Sequence, residues 1–136
     1  MDQELGTEKK NNQMKSFKDL EAWKKGRVLR VDISALTKTF PVEEKFKLVD
    51  QLIRASRSVT ANLAEGYGRF HYQENIQFCR VSRGSLTEIQ DHITVAYDEG
   101  YINEELAKKY DEQVEECIRI INGYINYLVK SKQEKP

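Results

Sequence analysis

Chain breakers are scarce in this sequence. Two prolines and seven glycines in 136 residues are little more than half of what an average chain carries. A sandwich or barrel of short strands needs a turn about every ten residues and cannot be punctuated by so few, and collagen-like and low-complexity chains are excluded on the same count. Long apolar runs are also missing. The longest, Val95-Ala96-Tyr97 and Tyr127-Leu128-Val129, are three residues each, too short for a membrane span or the core of a secretory signal. A soluble, cytoplasmic protein with no membrane contact is expected. No charge of one sign dominates, since 22 Lys and Arg balance 22 Asp and Glu. No global field draws the chain to nucleic acid, and any such binding must come from a local patch. The two cysteines, Cys79 and Cys117, have no CxxC spacing and no neighbouring His. They are expected to be reduced packing residues, and no metal or cofactor is expected.

What is present is helical periodicity. Residues 1–15 carry only Met1, Leu5 and Met14 as apolar side chains, too few to offset the entropy of ordering, and predict a disordered leader. Order is expected from Ser16, a capping hydroxyl with Asp19 three residues on. Ala22, Gly26, Leu29, Ile33, Leu36 and Phe40 then recur every three or four residues, the seam of a first helix closed by Phe40-Pro41. Pro41 is placed at the start of a second helix, with Glu43 and Glu44 in its first turn. Its stripes are Phe46, Val49, Ile53, Ser56, Leu63 and Leu48, Leu52, Ala55, Val59, Asn62, and a glycine of Gly66-Tyr67-Gly68 is expected to take the left-handed cap. A third helix is predicted from Tyr72 to Glu99, with Ile76, Cys79, Leu86, Ile93, Tyr97 on one stripe, Phe78, Ser82, Ser85, Ile89, Ala96 beside it, and Gly100 as its stop. Asn103 caps a fourth, whose seam is Leu106, Tyr110, Val114, Cys117, Ile121, Tyr124 and Leu128. The expected fold class is all-α, an antiparallel up-down-up-down four-helix bundle over residues 16–131 followed by a disordered tail over 132–136.

Apolar residues also fall outside these seams. Val28, Val31 and Ala35 on helix one, and Ile118, Ile120, Ile125, Tyr127 and Val129 on helix four, give both helices apolar character on two sides. A helix apolar on two sides is buried on two sides, so self-association is expected.

Catalytic patterns are absent. A di-iron bundle needs carboxylates from four helices and two Glu-x-x-His motifs, whereas the only histidines are His71 and His92, and Glu88 precedes His92 by four positions. The Arg and His spacing of the all-helical HEPN ribonucleases is not met by Arg69 with His71 or by Arg83 with His92. Gly66-Tyr67-Gly68 has no preceding strand and no third glycine, so it is no dinucleotide fingerprint. Arg83-Gly84-Ser85 lacks the strand-turn-helix context of a nucleophile elbow. Gly84, between Ser82 and Ser85 and level with Ala55, Ser56 and Ser58, is read as a point of close helix approach that justifies the ~1 kcal/mol a mid-helix glycine costs. No enzyme is expected.

Two polar groupings remain. Glu65 falls in the last turn of helix two, where the helix dipole disfavours an anion, and needs a cationic partner. Asn62, Glu65, Arg69, Arg83, Ser85 and Glu88 are therefore read as a polar cluster tying the second and third helices. If that cluster is buried, removing Glu65 costs roughly 3–5 kcal/mol. Second, helix one is the only basic helix: Lys18, Lys24, Lys25, Arg27, Arg30 and Lys38 outnumber Asp19, Glu21 and Asp32, while Tyr67 to Gly100 is net acidic. Those six cations are the candidate nucleic-acid-binding residues, with Lys24, Arg27 and Lys38 pointing away from the seam. Repeated around a ring, such a patch would add its phosphate contacts together.

Phe17-Lys18-Asp19-Leu20-Glu21-Ala22-Trp23, Phe40-Pro41, Asn62-Leu63-Ala64-Glu65-Gly66-Tyr67-Gly68-Arg69 and Arg83-Gly84-Ser85-Leu86-Thr87-Glu88 occur in that order. Together they resemble the four-helix bundle family of 23S rRNA intervening-sequence proteins. The resemblance, which spans Ser16 to Leu128, implies a bacterial four-helix protomer that assembles into a homopentameric ring and has no known catalytic site. The family is similar in turn to the accessory variability protein of diversity-generating retroelements, a pentameric bundle that binds reverse transcriptase and nucleic acid. The expected function is thus a non-enzymatic oligomeric bundle that binds RNA or a ribonucleoprotein. The alternative is a protein-interaction scaffold, or an accessory subunit of a reverse transcriptase, without direct RNA binding.

Overall fold

The structure is a computed structural model that describes residues 14–134. Most of the expected leader, residues 1–13, and the last two residues of the expected tail lie outside the described residues. Four helices follow in order: α1 Glu21–Thr37, α2 Leu48–Gly68, α3 Tyr72–Asp98 and α4 Glu104–Glu134. Every helix–helix contact is between chain neighbours or between α1 and α4. The helices therefore stand in cyclic order around one core, the up-down-up-down arrangement that short links impose. No strand occurs among the described residues.

The ends of the helices are where local chemistry overrides periodicity. Ser16 does form a capping box with Asp19, its Oγ accepting from the Lys18 amide at 2.8 Å while Asp19 Oδ2 accepts from the Ser16 amide at 3.2 Å. What it caps is a single 3-10 turn, Phe17–Asp19, and not the expected helix. Leu20 then steps out in extended backbone, which lets its side chain enter the core at 2% exposure, and α1 starts at Glu21. At the other end Pro41 is extended and does not open the second helix. A 3-10 turn, Val42–Glu44, follows, and α2 begins at Leu48, whose amide donates to Glu44 Oε1 at 3.2 Å. The expected first turns of helix two are thus a loop held by Glu44. Phe46, placed on the seam by its period, is 84% exposed.

The left-handed residue after α2 is Phe70, with φ of 52°, and neither Gly66 nor Gly68 takes that cap. Gly66 is needed for space. A Cβ on it would lie 2.7 Å from Asn75 Oδ1 and 2.8 Å from Phe78 Cβ. Gly26 is similarly tight against Val59 and Thr60. Gly84 is the reverse of its expectation: it is exposed, and a Cβ there would have nothing within 4 Å. Its neighbours do the bridging, with Ser82 Oγ donating to the Val59 carbonyl and Ser85 Oγ to Ser58 Oγ, both at 2.8 Å. Gly100 does end α3, at φ of 80°, and Asn103 Oδ1 caps α4 by accepting from the Leu106 amide at 2.8 Å.

Leu29, Ile33, Leu52, Val59, Leu63, Cys79, Leu86, Ile89, Ala96 and Val114 are fully buried, and each large aliphatic among them stabilises the fold by ~1.5–3 kcal/mol. Two expectations about sidedness change. Tyr97 is exposed, although Ala96 beside it is fully buried. On α4, Ile125 is buried, Ile118, Ile120 and Val129 pack half-buried against the core, and only Tyr127 is exposed at 62%. Packed between α3 and α1, α4 spends its wide apolar arc inside its own protomer. It also runs three residues into the segment expected as a tail, ending at Glu134.

Candidate docking surface

Along α1 the buried positions Ala22, Gly26, Leu29, Ile33 and Leu36 occupy one side of the helix. A period of 3.6 residues then places Lys24, Arg27, Val28, Val31, Ala35 and Lys38 on the opposite side, and all six are exposed. Val28 and Val31 are 53% and 56% exposed, unusual for β-branched aliphatics in a helix. The first half of this strip borders an open hollow of about 500 Å³ lined by Lys18, Trp23, Lys24, Arg27, Val28, Val31 and Asp32. Trp23 forms a wall of it, held edge-on by Phe17 at 5.3 Å between ring centroids, and the Arg27 guanidinium lies 5.8 Å from its ring. A second hollow, of about 310 Å³, lies at the other end of α1 and includes Lys38, Lys45, Val42 and Val49.

Of the six candidate cations, only Lys18, Lys24 and Arg27 therefore gather. Lys38 lies eleven residues beyond Arg27, ~16 Å along the helix. The other two are used for packing. Lys25 pairs with Glu116 of α4 at 3.7 Å, and Arg30 donates to Thr60 Oγ1 of α2 at 2.8 Å. Asp32 belongs to the same internal stitching, its side chain accepting from Gln113 at 3.1 Å and its carbonyl from the Tyr110 hydroxyl at 3.0 Å. Burial, and then the nearby Asp32 charge, raise the Tyr110 phenol above its ordinary pKa.

The expected polar cluster is not one cluster. Asn62 donates to the Ser58 carbonyl and hydroxyl at 2.8 and 2.9 Å, and Ser58 in turn receives the Ser85 hydroxyl. Glu65 pairs with Arg69 alone, at 2.9 Å, with both side chains about half exposed, and Arg69 also reaches Glu74 at 3.6 Å. Arg83 donates across to Asn122 of α4 at 2.7 Å, and Glu88 meets His92 at 3.0 Å. Helical phase separates them: Asn62 and Ser85 face the α2–α3 seam, whereas Glu65 and Glu88 face solvent.

The groups best suited to chemistry are occupied or suppressed. Burial pushes the Cys79 thiol up to about 12 and the Cys117 thiol up to about 11, leaving both protonated and poorly nucleophilic. His71 Nδ1 caps α3 by accepting from the Glu74 amide at 3.4 Å. No group of three or more His, Cys, Asp or Glu able to hold a metal ion occurs among the described residues. Nor is any described helix long and apolar enough to cross a membrane.

One surface escaped the sequence reading. Val81, Gly84, Glu88, Asp91 and Val95 are all exposed on α3. The signal was the phase of Gly84, which falls with Val81 and Glu88 and not with the Ser82, Ser85, Ile89 seam.

Three comparisons bear on the chain. A crystal structure of a protein of unknown function from the S23 ribosomal protein family of Bacteroides thetaiotaomicron superposes with a TM-score of 0.71, covering 76% of this chain and 97% of that one at 20% sequence identity. At that identity the likeness speaks for the four-helix fold. Among curated proteins none matches. The family model described as 23S rRNA-intervening sequence protein matches residues 18–123, from the 3-10 turn before α1 to about two thirds of the way along α4. The chain belongs to the 23S rRNA-intervening sequence protein family.

Proposed function

We propose that the protein is a non-enzymatic, cytoplasmic helical subunit associated with a ribonucleoprotein, and that it works in an assembly of several copies joined through the outer face of α1. The observation that carries this reading is the mixed character of the strip: Val28, Val31 and Ala35 follow one another between Lys24 and Arg27 at one end and Lys38 at the other, all exposed. A phosphate backbone offers those aliphatics nothing to bury against. A second helix does, with the cations left to select an acidic partner face. A homopentameric ring, which the sequence resemblance implies, is the assembly expected. The buried, protonated thiols and the locally engaged histidines support a role without catalysis.

Light scattering tests the assembly, with a mass several times 15.9 kDa expected for the parent and a lower one for Val28→Ser/Val31→Ser. A parent that is monomeric at micromolar concentration, or a double variant that assembles unchanged, overturns it. A second reading, direct RNA binding, is favoured by one observation: Lys24, Arg27 and Lys38 have no ion pair among the described residues. Fluorescence anisotropy with a structured ribosomal RNA fragment separates the two. RNA binding predicts a steep salt dependence that Lys24→Gln/Arg27→Gln/Lys38→Gln flattens; the docking reading predicts no binding by the parent even at low salt.

A further inference from the structure

Gly84 has no use inside its own protomer. It sits mid-helix in α3, between Tyr72 and Asp98, where a glycine weakens the helix relative to alanine. Nothing lies within 4 Å of where its Cβ would be. Gly66 and Gly26, by contrast, each face an occupied space. Around Gly84 the exposed side of α3 carries Val81, Glu88, Asp91 and Val95, two aliphatics and two carboxylates. The two cations beside it are engaged elsewhere, Arg83 with Asn122 of α4 at 2.7 Å and Arg80 along its own helix with Gln77 at 2.8 Å. This strip has the composition of the α1 strip with the charges reversed.

We propose that the outer face of α1 docks antiparallel onto the Gly84 face of α3 in a second copy of this chain. The assignment rests on the reading of α1 as a docking surface and names its occupant. Spacing sets the register. With Val31 placed over Gly84, Arg27 lies four residues before Val31 and Glu88 four after Gly84, so the two meet in an antiparallel pair. Lys24 and Asp91, seven residues out in the same senses, meet next. In the other direction Ala35 arrives between Arg80 and Val81. Two ion pairs and two apolar contacts thus form at one crossing, and a missing side chain lets the backbones approach where the valine enters. The reverse, parallel alignment would set Arg27 against Arg80 and Lys24 against Gln77, and would leave one ion pair, Lys38 with Asp91, in place of two. Charge complementarity in this form selects the partner face more than it adds affinity. Because α1 and α3 are different surfaces of one protomer, the contact is heterologous and repeats from copy to copy, so it closes into a ring or runs on as a filament.

Sedimentation velocity on charge-swapped chains decides the pairing, with far-UV circular dichroism to confirm that every variant is folded. Lys24→Glu/Arg27→Glu sets like charges against α3 and is expected to weaken assembly by roughly 100-fold, as is Glu88→Lys/Asp91→Lys from the other side. All four substitutions in one chain restore opposite charges and return the parental mass. Gly84→Leu, with the charges untouched, also dissociates the assembly, and at concentrations where parent and variant are both monomers it raises the melting temperature. If Lys24→Glu/Arg27→Glu dissociates the protein but Glu88→Lys/Asp91→Lys does not, α1 docks elsewhere and this pairing falls while the reading of α1 stands. If neither has an effect, or the parent is monomeric, both fall. A four-fold variant that stays dissociated while each pair alone dissociates overturns the pairing as well.

Discussion

Between α2 and α3 the serines, Asn62 and Gly66 meet partners across or along the seam, whereas along the outer face of α1 the aliphatics stand open. In the seam, Ser82 and Ser85 reach across to α2, Asn62 closes onto Ser58, and Gly66 leaves the space that Asn75 and Phe78 fill. Its buried polar groups are thereby satisfied, which is the condition for burying them at all. On α1, Val28 and Val31 stand more than half exposed beside Lys24 and Arg27, which have no ion pair among the described residues. The two regions therefore serve different ends. The seam stabilises one protomer, and the face is left for a surface outside it, so substitutions in the first should act on folding and in the second on association.

The largest effect is expected deep in the seam. Leu86 is fully buried beside Ser85, and Leu86→Ala should cost about 2–5 kcal/mol through lost transfer energy and the cavity left behind. Urea denaturation measures this, and a loss below ~1 kcal/mol would mean that the seam collapses around the hole and is less rigid than its serine contacts suggest. Two glycines sharpen the contrast further. Gly66→Ala drives a methyl to 2.7 Å from Asn75 Oδ1 and 2.8 Å from Phe78 Cβ, and should destabilise by ~1–3 kcal/mol. Gly84→Ala meets nothing and should stabilise the isolated protomer by ~0.5–1 kcal/mol. Opposite signs at two glycines one helix apart are the outcome that separates a glycine kept for packing from one kept for something outside.

Those two glycines also show how far the sequence could be read. The four seams are legible because their apolar spacing matches one helical period, and Leu29, Ile33, Val59, Leu86 and Val114 are buried as that period requires. The ends are not, because they depend on contacts distant in sequence. Glu44 holds the start of α2 while its other oxygen accepts from Tyr101, 57 residues away, at 2.6 Å. The serines flanking Gly84 point the reading inward, although its own phase points outward. The basic helix was found as a count, but Lys25 and Arg30 could be told from Lys24 and Arg27 only by locating Glu116 and Thr60.

A smaller effect should come from pH, and it too belongs to the interior. Cys79 and Cys117 titrate at about 12 and about 11 in the folded chain, against 9.0 for a free thiol, chiefly because burial penalises the thiolate. As pH rises past 9 the unfolded chain loses these protons first, so the thiols favour unfolding progressively above that point and have no effect below it. Cys79→Ala/Cys117→Ala should therefore lose stability less steeply between pH 8 and 10 than the parent does, as read from urea midpoints at each pH. At pH 8 both thiols of the folded parent should resist alkylation and react on unfolding. Rapid reaction in the folded state would show that the core opens locally, and the seam would then be less closed than its burial implies.

The smallest effect is expected at Glu65, which its expected place in a polar cluster with Asn62 and Ser85 would assign to the seam but which its exposure assigns to the surface. It pairs with Arg69 one turn on, with the two side chains 54% and 47% exposed. An exposed pair of this kind contributes ~0.2–1 kcal/mol. Against that gain stands the unfavourable position of an anion in the last turn of α2, worth ~0.3–1 kcal/mol in the opposite sense. Arg69 keeps Glu74 at 3.6 Å and the Phe78 ring at 5.1 Å when Glu65 is removed, so no charge is stranded. The two contributions nearly cancel, and Glu65→Ala should change stability by less than ~0.5 kcal/mol. Thermal melts at low and high salt measure the difference, which should shrink further as salt screens both contributions. A loss of ~3 kcal/mol, the cost of breaking a buried pair, would mean that the end of α2 is covered in solution. It would then belong with the outer face of α1 among the surfaces that another chain completes.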